Sequence, residues 1–277
     1  MAIPRSDAPA RADLSGHRLL VCRPQPRADW LCRELAAYGA DARPLPMLEI
    51  APLPVTGETR SRLLNLDHYQ HVICVSPSAA DQLLAAMDEW WPQWPVGIRW
   101  WGVGSGTAKT LRQADLDCAS PVSGHNSEAL LAEPALSAAA LTDSRVLIVG
   151  GEGGRGLLAE TLQQRARQLD SLILYRRQCP EYSKEHLNRL LGDFNPQCLI
   201  TLSGETLNNL IRVVQNTDQT LLHRQLIVPV ARVADDARQA GFTNVHVPSG
   251  LTADAIAACI AQAALPPSLN KDSDSRE

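Results

Sequence analysis

Much of this chain is written twice. The stretch GHRLLVCRPQPRADWLCRELAAYGADARPL, residues 16–45, lies over DSRVLIVGGEGGRGLLAETLQQRARQLDSL, residues 143–172, so that Leu31 and Leu35 fall on Leu158 and Leu162 at an offset of 127 residues. At the same offset VICVSPSAADQLL (72–84) lies over LITLSGETLNNLI (199–211), which sets Ser76 on Ser203. RQADLDCASPVSG, ending at Gly124, matches RQAGFTNVHVPSG, ending at Gly250, one residue short of that offset. Two copies of one unit, in a chain of 277 residues that is 45% hydrophobic, predict two domains with ample cores.

Within each copy, short apolar runs bounded by Gly, Pro and Ser alternate with stretches whose apolar residues recur every three or four positions. In the first copy strands are expected near 19–22, 72–75, 98–103 and 117–119, and helices near 27–38, 78–88, 107–114 and 127–133. Such alternation predicts an α/β protein: two doubly wound parallel-sheet domains, with ligands bound beyond the carboxyl ends of the strands. The two sheets are expected to face each other across a cleft.

Between the first helix of each copy and the remainder lies an extended piece, RPLPMLEIAPLP (43–54) and SLILYRRQCPEY (171–182). Prolines 44, 46, 52, 54 and 180 make these poor helices and good linkers. The residues alone allow a contiguous division of the chain near Thr142. PPSLNKDSDSRE, residues 266–277, has almost no apolar content and is expected to be a disordered tail, as is the N-terminal arm.

A formal charge of −4 argues against a nucleic-acid or membrane-surface partner, which would need a basic excess. Pro4, Arg5, Asp7 and Pro9 interrupt any leader-like apolar core, and no run nears the roughly 18 apolar residues of a membrane span, so a cytoplasmic protein is expected. Seven cysteines form no C-x-x-C pair and read as reduced packing residues. The one close histidine pair, His68 and His71 in DHYQH, lacks the glutamate of a metalloprotease helix, so no metal is expected there.

GEGGRG at 151–156 satisfies G-x-G-x-x-G directly after an apolar run, which raises a dinucleotide. A ribose-binding carboxylate should follow the second strand, yet Asp170 precedes Leu172–Leu174 and what comes after is Tyr175, Arg176 and Arg177. The matching place in the first copy, VCRPQPRAD, has no glycine. The general physics remains: glycines let backbone N–H groups approach an anion at a helix start, and a carboxylate suits such a site as well as a phosphate does.

LLVCRP, ICVSPSAA, WGVGSGTAKTL, VLIVGGEGGRGLLAETL, LILYRR and LITLSGETL, in this order and spacing over roughly residues 19–264, resemble the uroporphyrinogen-III synthase family. The resemblance implies a discontinuous plan: residues 1–42 join 181–265 as one domain, 53–172 form the other, and 43–52 pairs with 173–180 as linker strands. It implies cyclisation of hydroxymethylbilane, with inversion of the last pyrrole ring and loss of water, in haem biosynthesis. A monomer without metal or organic cofactor is implied as well, with a linear tetrapyrrole of eight carboxylates as its small-molecule substrate.

Ring closure of a flexible chain is a proximity problem, and departure of the hydroxyl needs a proton donor. By match to the family's motifs, Tyr175 in LYRR is that acid, since a phenol holds its proton at neutral pH. Its alternative is an aromatic packed on the linker strands. The same matching makes Arg23, Ser76, Ser78, Gly104, Ser105, Thr107, Gly151, Gly153, Arg155, Ser203 and Arg232 the candidate substrate contacts. Ser78, Ser105 and Thr107 are equally suited to be helix caps; Arg23 and Arg155 have solvated charge as their alternative, but they follow strands at the expected cleft edge, which favours ligand contact.

Two positions depart from the family's pattern. Cys22 stands where Thr is usual, and Val230-Ala231 where a hydroxyl residue or Gly-Pro is usual, which leaves Arg232 as the polar group of that turn. WWPQWPVGIRWW (90–101) is read as a helix-to-strand packing cluster, with a partner surface as its alternative. Beside the cyclase two other functions stay open: a two-domain small-anion binding module, and an NAD(P)-dependent oxidoreductase.

Overall fold

Burial is continuous along the central apolar runs, with successive side chains entering opposite cores, so that each sheet has two covered faces. The computed structural model describes residues 12–154 and 156–264. The N-terminal arm, Arg155 and the 266–277 tail lie outside the described residues. In chain order the strands are β1 (Arg18–Val21), β2 (Asp41–Pro44), β3 (Glu49–Pro52), β4 (His71–Cys74), β5 (Arg99–Gly102), β6 (Cys118–Ala119), β7 (Arg145–Gly151), β8 (Gln168–Gln178), β9 (Cys198–Ile200), β10 (Gln225–Ile227) and β11 (Asn244–His246). The helices are α1 (Arg27–Ala36), α2 (Gly57–Leu64), α3 (Pro77–Trp90), α4 (Ser105–Gln113), α5 (Ser127–Leu131), α6 (Ala138–Leu141), α7 (Gly156–Arg165), α8 (Lys184–Leu187), α9 (Gly204–Asn216), α10 (Ala231–Gln239) and α11 (Ala253–Ala264). Each expected strand and helix of the first copy is present, its ends shifted by at most two residues.

Tertiary contacts divide the chain into two units, with the division falling at Glu49/Ile50 and at Gln178/Cys179 in the sequence. The unit holding β1 has a five-stranded sheet ordered β11-β10-β9-β1-β2, its neighbours all parallel. Leu20, Leu199 and Leu226 point into one core with Phe194, Leu207 and Phe242. Leu19, Val21, Cys198 and Ile200 point into the other, against α1 and α11. This two-residue alternation, apolar on both sides, is what a strand covered on both faces requires.

The second unit repeats the pattern with six strands ordered β3-β8-β7-β4-β5-β6, in which β8-β7, β7-β4, β4-β5 and β5-β6 run parallel. Val72, Cys74, Leu147 and Val149 face a core against α3, whereas Ile73, Val146 and Ile148 face a core with Leu158 and Leu162. Set against the sequence repeat, the sheets are exchanged: β1 and β2 of the first copy pair with β9, β10 and β11 of the second, and β7 and β8 pair with β4, β5 and β6. The segments read as linkers are built into the sheets. Arg43 and Pro44 finish β2, Glu49–Pro52 is β3, and β8 runs on unbroken to Gln178. Pro44 and Pro52 sit on edge strands, where a missing N–H costs no ladder bond.

The tryptophan-rich segment packs. Trp100 and Trp101 are buried on β5, Trp90, Trp91 and Trp94 rest half-buried on the adjoining core, and the Trp91 indole donates to the Leu63 carbonyl at 2.8 Å. His71 is buried beside them and accepts from the Trp101 indole at 3.1 Å, while His68 is exposed. Burial, followed by the neighbouring Arg99, lowers the His71 pKa. The cysteines are free thiols, and Cys22, Cys74 and Cys198 are fully buried strand residues or neighbours. No helix among the described residues is long and apolar enough to cross a membrane.

Candidate functional site

Parallel pairing brings the carboxyl ends of neighbouring strands to one edge of each sheet, where the loops begin and ligand groups gather. In the unit built on β4 and β7, that edge carries Ser76, Ser78, Gly104, Ser105, Thr107, Gly151, Gly153 and Tyr175. Arg23, Ser203 and Arg232 occupy the corresponding strand ends of the other unit. Arg155 lies outside the described residues.

Tyr175 reaches its position through a bulge. Along the β7-β8 ladder Gly150 opposes Ile173 but Gly151 opposes Tyr175, so Leu174 is the extra residue. Strict alternation would aim Tyr175 to the side of Ile173, which is exposed; the bulge turns it to the side of Leu172 and Leu174 instead, where it is 6% exposed. Its ring lies flat against Gly151: a Cβ built there would stand 2.6 Å from Tyr175 Cζ. The phenol oxygen is 2.9 Å from Ser76 Oγ, and the Tyr175 carbonyl accepts from the Glu152 N–H at 2.9 Å.

Ser76 is the N-cap of α3; its Oγ accepts from the Ala79 N–H at 3.0 Å, with Pro77 at the first helical position. Ser78 is therefore a first-turn residue, not the cap. The cap of α4 is Gly104, which carries no side chain to bond, so Ser105 and Thr107 are not caps either. Ser105 is exposed and Thr107 is buried at the base of the first turn. The cap reading of these three residues is thereby corrected: the extended backbone ends two residues before Ser78 and one before Ser105.

Beside this edge opens a pocket of about 650 Å³. Val75, Val103, Ile148, Leu158 and Ile173 make it apolar; Gly150, Gly151, Gly153 and Gly154 form one wall, and His125, Asn126 and Ser127 contribute polar groups. Gly151 borders both this pocket and the Tyr175 ring. Gly153 has φ +75°, a left-handed conformation that favours glycine. The sequence reading missed His125, Asn126 and the apolar lining. Asn126 carries a visible signal as the cap of α5, accepting from the Ala129 N–H at 2.9 Å, but nothing local marks a pocket.

Asp170, the carboxylate a ribose would need, sits near the start of β8 and accepts from Tyr69 Oη at 2.9 Å and Gln168 Nε2 at 2.6 Å. Arg176 pairs with Glu152 at 3.4 Å. In the other unit Ser203 caps α9, accepting from the Thr206 N–H at 3.2 Å, and its Oγ lies 2.9 Å from Thr206 Oγ1. Arg23 follows β1 and is half-buried; burial and then Arg27 lower its pKa, though arginine stays cationic. Arg232 lies in the first turn of α10, its side chain 77% exposed and 3.4 Å from Asp236.

Fold and site define the class: a duplicated α/β protein that presents hydroxyls, backbone amides and arginines at the carboxyl ends of parallel strands. The family model described as uroporphyrinogen-III synthase HemD matches residues 29–258. The chain belongs to the uroporphyrinogen-III synthase family. It is 29% identical over 241 residues to the uroporphyrinogen-III synthase of Salmonella typhimurium, covering 86% of this chain and 97% of that one. With the enzyme of Proteus mirabilis it shares 30% identity over 168 residues, 60% of this chain and 83% of the relative. The fold is shared with uroporphyrinogen-III synthetase of Helicobacter pylori, at a TM-score of 0.53 and 13% identity over 89% of this chain and 98% of that one. Neither the anion-binding module nor the oxidoreductase is favoured by these likenesses.

Proposed function

We propose that this chain cyclises hydroxymethylbilane to uroporphyrinogen III in haem biosynthesis, with Tyr175 as the proton donor to the departing hydroxyl. The observation that carries the assignment of Tyr175 is its phenol, held within hydrogen-bond reach of Ser76 at the carboxyl edge of a parallel sheet and beside a glycine that also borders the pocket. Geometry is the main catalytic element, because the linear substrate has to be folded so that its terminal methylene attacks the substituted carbon of the last ring. A neutral donor at the leaving oxygen, in polar surroundings for the cationic azafulvene that results, supplies the remainder.

The substrate's carboxylates call for many donors. Ser78, Ser105 and Thr107, with the backbone amides at Gly104, Gly151 and Gly153, are the proposed ones in this unit. Arg23, Ser203 and Arg232 offer donors of the same kind at the strand ends of the other, and Arg155 belongs to the proposal on its sequence position. The proposal includes a monomeric cytoplasmic enzyme that needs neither metal nor nicotinamide. Exhaustive dialysis against chelator should leave turnover intact, and metal-dependent recovery of lost activity would overturn that part.

The test of Tyr175 is Tyr175→Phe, which keeps the ring and removes the hydroxyl. We expect the rate constant to fall by about 10²-fold, the lower end of what positioned acid catalysis provides, with substrate affinity little changed. Product should remain mainly isomer III, since isomer choice depends on how the whole chain is folded. Parental turnover in a folded Tyr175→Phe would remove Tyr175 from the mechanism.

A further inference from the structure

The repeat is chemically unequal at one point. Ser203, the counterpart of Ser76, caps its helix in the same way but bonds Thr206, and the position equivalent to Thr206 in the first copy is Ala79. Where the second copy has Tyr175 the first has the buried Leu48, and where it has Gly151 the first has Pro24. Among the described residues the serine–phenol pair therefore exists in one unit only. Its parts come from different copies of the repeat: Ser76 from the first, Tyr175 and its glycine platform from the second.

Donor accounting gives the pair a direction. Ser76 Oγ already accepts the Ala79 N–H, and the partner for its own proton among the described residues is the Tyr175 oxygen at 2.9 Å. A serine hydroxyl carries one proton and a phenol one proton. If Ser76 donates, the Tyr175 proton is left for the substrate. We propose that Ser76 is a positioning residue for Tyr175: it donates to the phenol oxygen and thereby aims the phenol proton at the leaving hydroxyl. The inference rests on Tyr175 being the acid.

In the step, the carbon–oxygen bond of the substrate's hydroxymethyl group breaks as the phenol O–H bond breaks. The proton goes to the leaving oxygen, which departs as water, and the O–H electron pair stays on the phenolate while the substrate carbon becomes the azafulvene cation. Ser76 is then bonded to the charge that develops, and a hydrogen bond to a charged oxygen is stronger than one to a neutral oxygen. The proton lost when the last ring regains aromaticity restores the phenol, so no other reactant is needed. The Ala79 N–H, at the amino end of the fourteen-residue α3, polarises the Ser76 hydroxyl in the same sense.

Ser76→Ala, Ser76→Gly and Ser76→Thr, each alone and with Tyr175→Phe, test this. Glycine is a tolerated N-cap, so Ser76→Gly removes the hydroxyl while disturbing α3 least, and melting temperatures confirm that each variant is folded. We expect kcat to fall about tenfold in Ser76→Ala and Ser76→Gly with KM unchanged, the scale of one hydrogen bond that strengthens in the transition state. Ser76→Thr should restore most of the loss, and in the Tyr175→Phe background Ser76→Ala should have no further effect. Parental kcat in Ser76→Gly, a change confined to KM, or the same loss with and without the Tyr175 hydroxyl would each overturn the inference. If Tyr175→Phe alone keeps parental turnover, the assignment of Tyr175 fails and the role of Ser76 falls with it.

Discussion

Gly151 offers the ring of Tyr175 a bare α-carbon, and no other residue type can stand there without moving the phenol. A Cβ at that position would lie 2.6 Å from Tyr175 Cζ and 2.8 Å from Cδ2, well inside contact distance. The family resemblance makes Gly151 a substrate contact through its backbone. The structure gives its missing side chain a separate reason, close packing under the proposed acid.

Gly151→Ala should therefore lower turnover at least as far as Tyr175→Phe does, because the ring has to leave Ser76 to admit the methyl group. Overpacking of this kind costs roughly 1–3 kcal/mol, so the melting temperature should fall as well. Turnover and melting together check it: a folded Gly151→Ala with parental kcat would show that the ring position is irrelevant to the reaction.

His71 predicts an acid sensitivity. Its folded-state pKa is lowered by burial, while in the unfolded chain an imidazole titrates at about 6.5. Above that value both states are neutral and nothing is lost. As pH falls through it, the unfolded chain gains a proton that the folded chain refuses, so stability declines. His71→Asn keeps an acceptor for the Trp101 indole and removes the titration. Denaturant melts from neutral pH to about pH 5 should show a shallower decline in the variant. Parallel pH dependence in the two proteins would refute it.

The thiols should be protected in proportion to burial. Burial pushes the Cys22 and Cys32 pKa values up to about 12 and Cys118 up to about 11, and it raises those of Cys74 and Cys198 well above the ordinary thiol value. A thiol reagent needs both access and thiolate, so at neutral pH Cys179 and Cys259, the two that are only half-buried, should react first. Mass spectrometry of briefly alkylated native protein reads this directly. Modification of Cys22 or Cys74 as fast as Cys179 would contradict the burial of β1 and β4.

Local sequence determined the elements, because helices and strands answer to patterns a few residues long: a short apolar run after Arg18, a helical period from Arg27, a hydroxyl before Pro77. It carried the repeat as well, and with it the near-equivalence of β1 with the start of β7 and of β4 with β9. What it left open was pairing. Arg18 donates its N–H to Gln197, 179 residues away, and Leu19 sits in register with Cys198; nothing within a copy says that its first strand will complete the other copy's sheet. The cap at Ser76 rather than Ser78 turned on where extended backbone ends, a boundary that composition does not mark. The bulge at Leu174 turned on the ladder beside it, since side-chain direction in a strand alternates only while pairing is regular. Tyr175 could thus be named from its sequence, but the face it turns to, the glycine beneath it and the serine at its hydroxyl were decided by the tertiary structure, because each depends on which strand lies next to β8 and in what register.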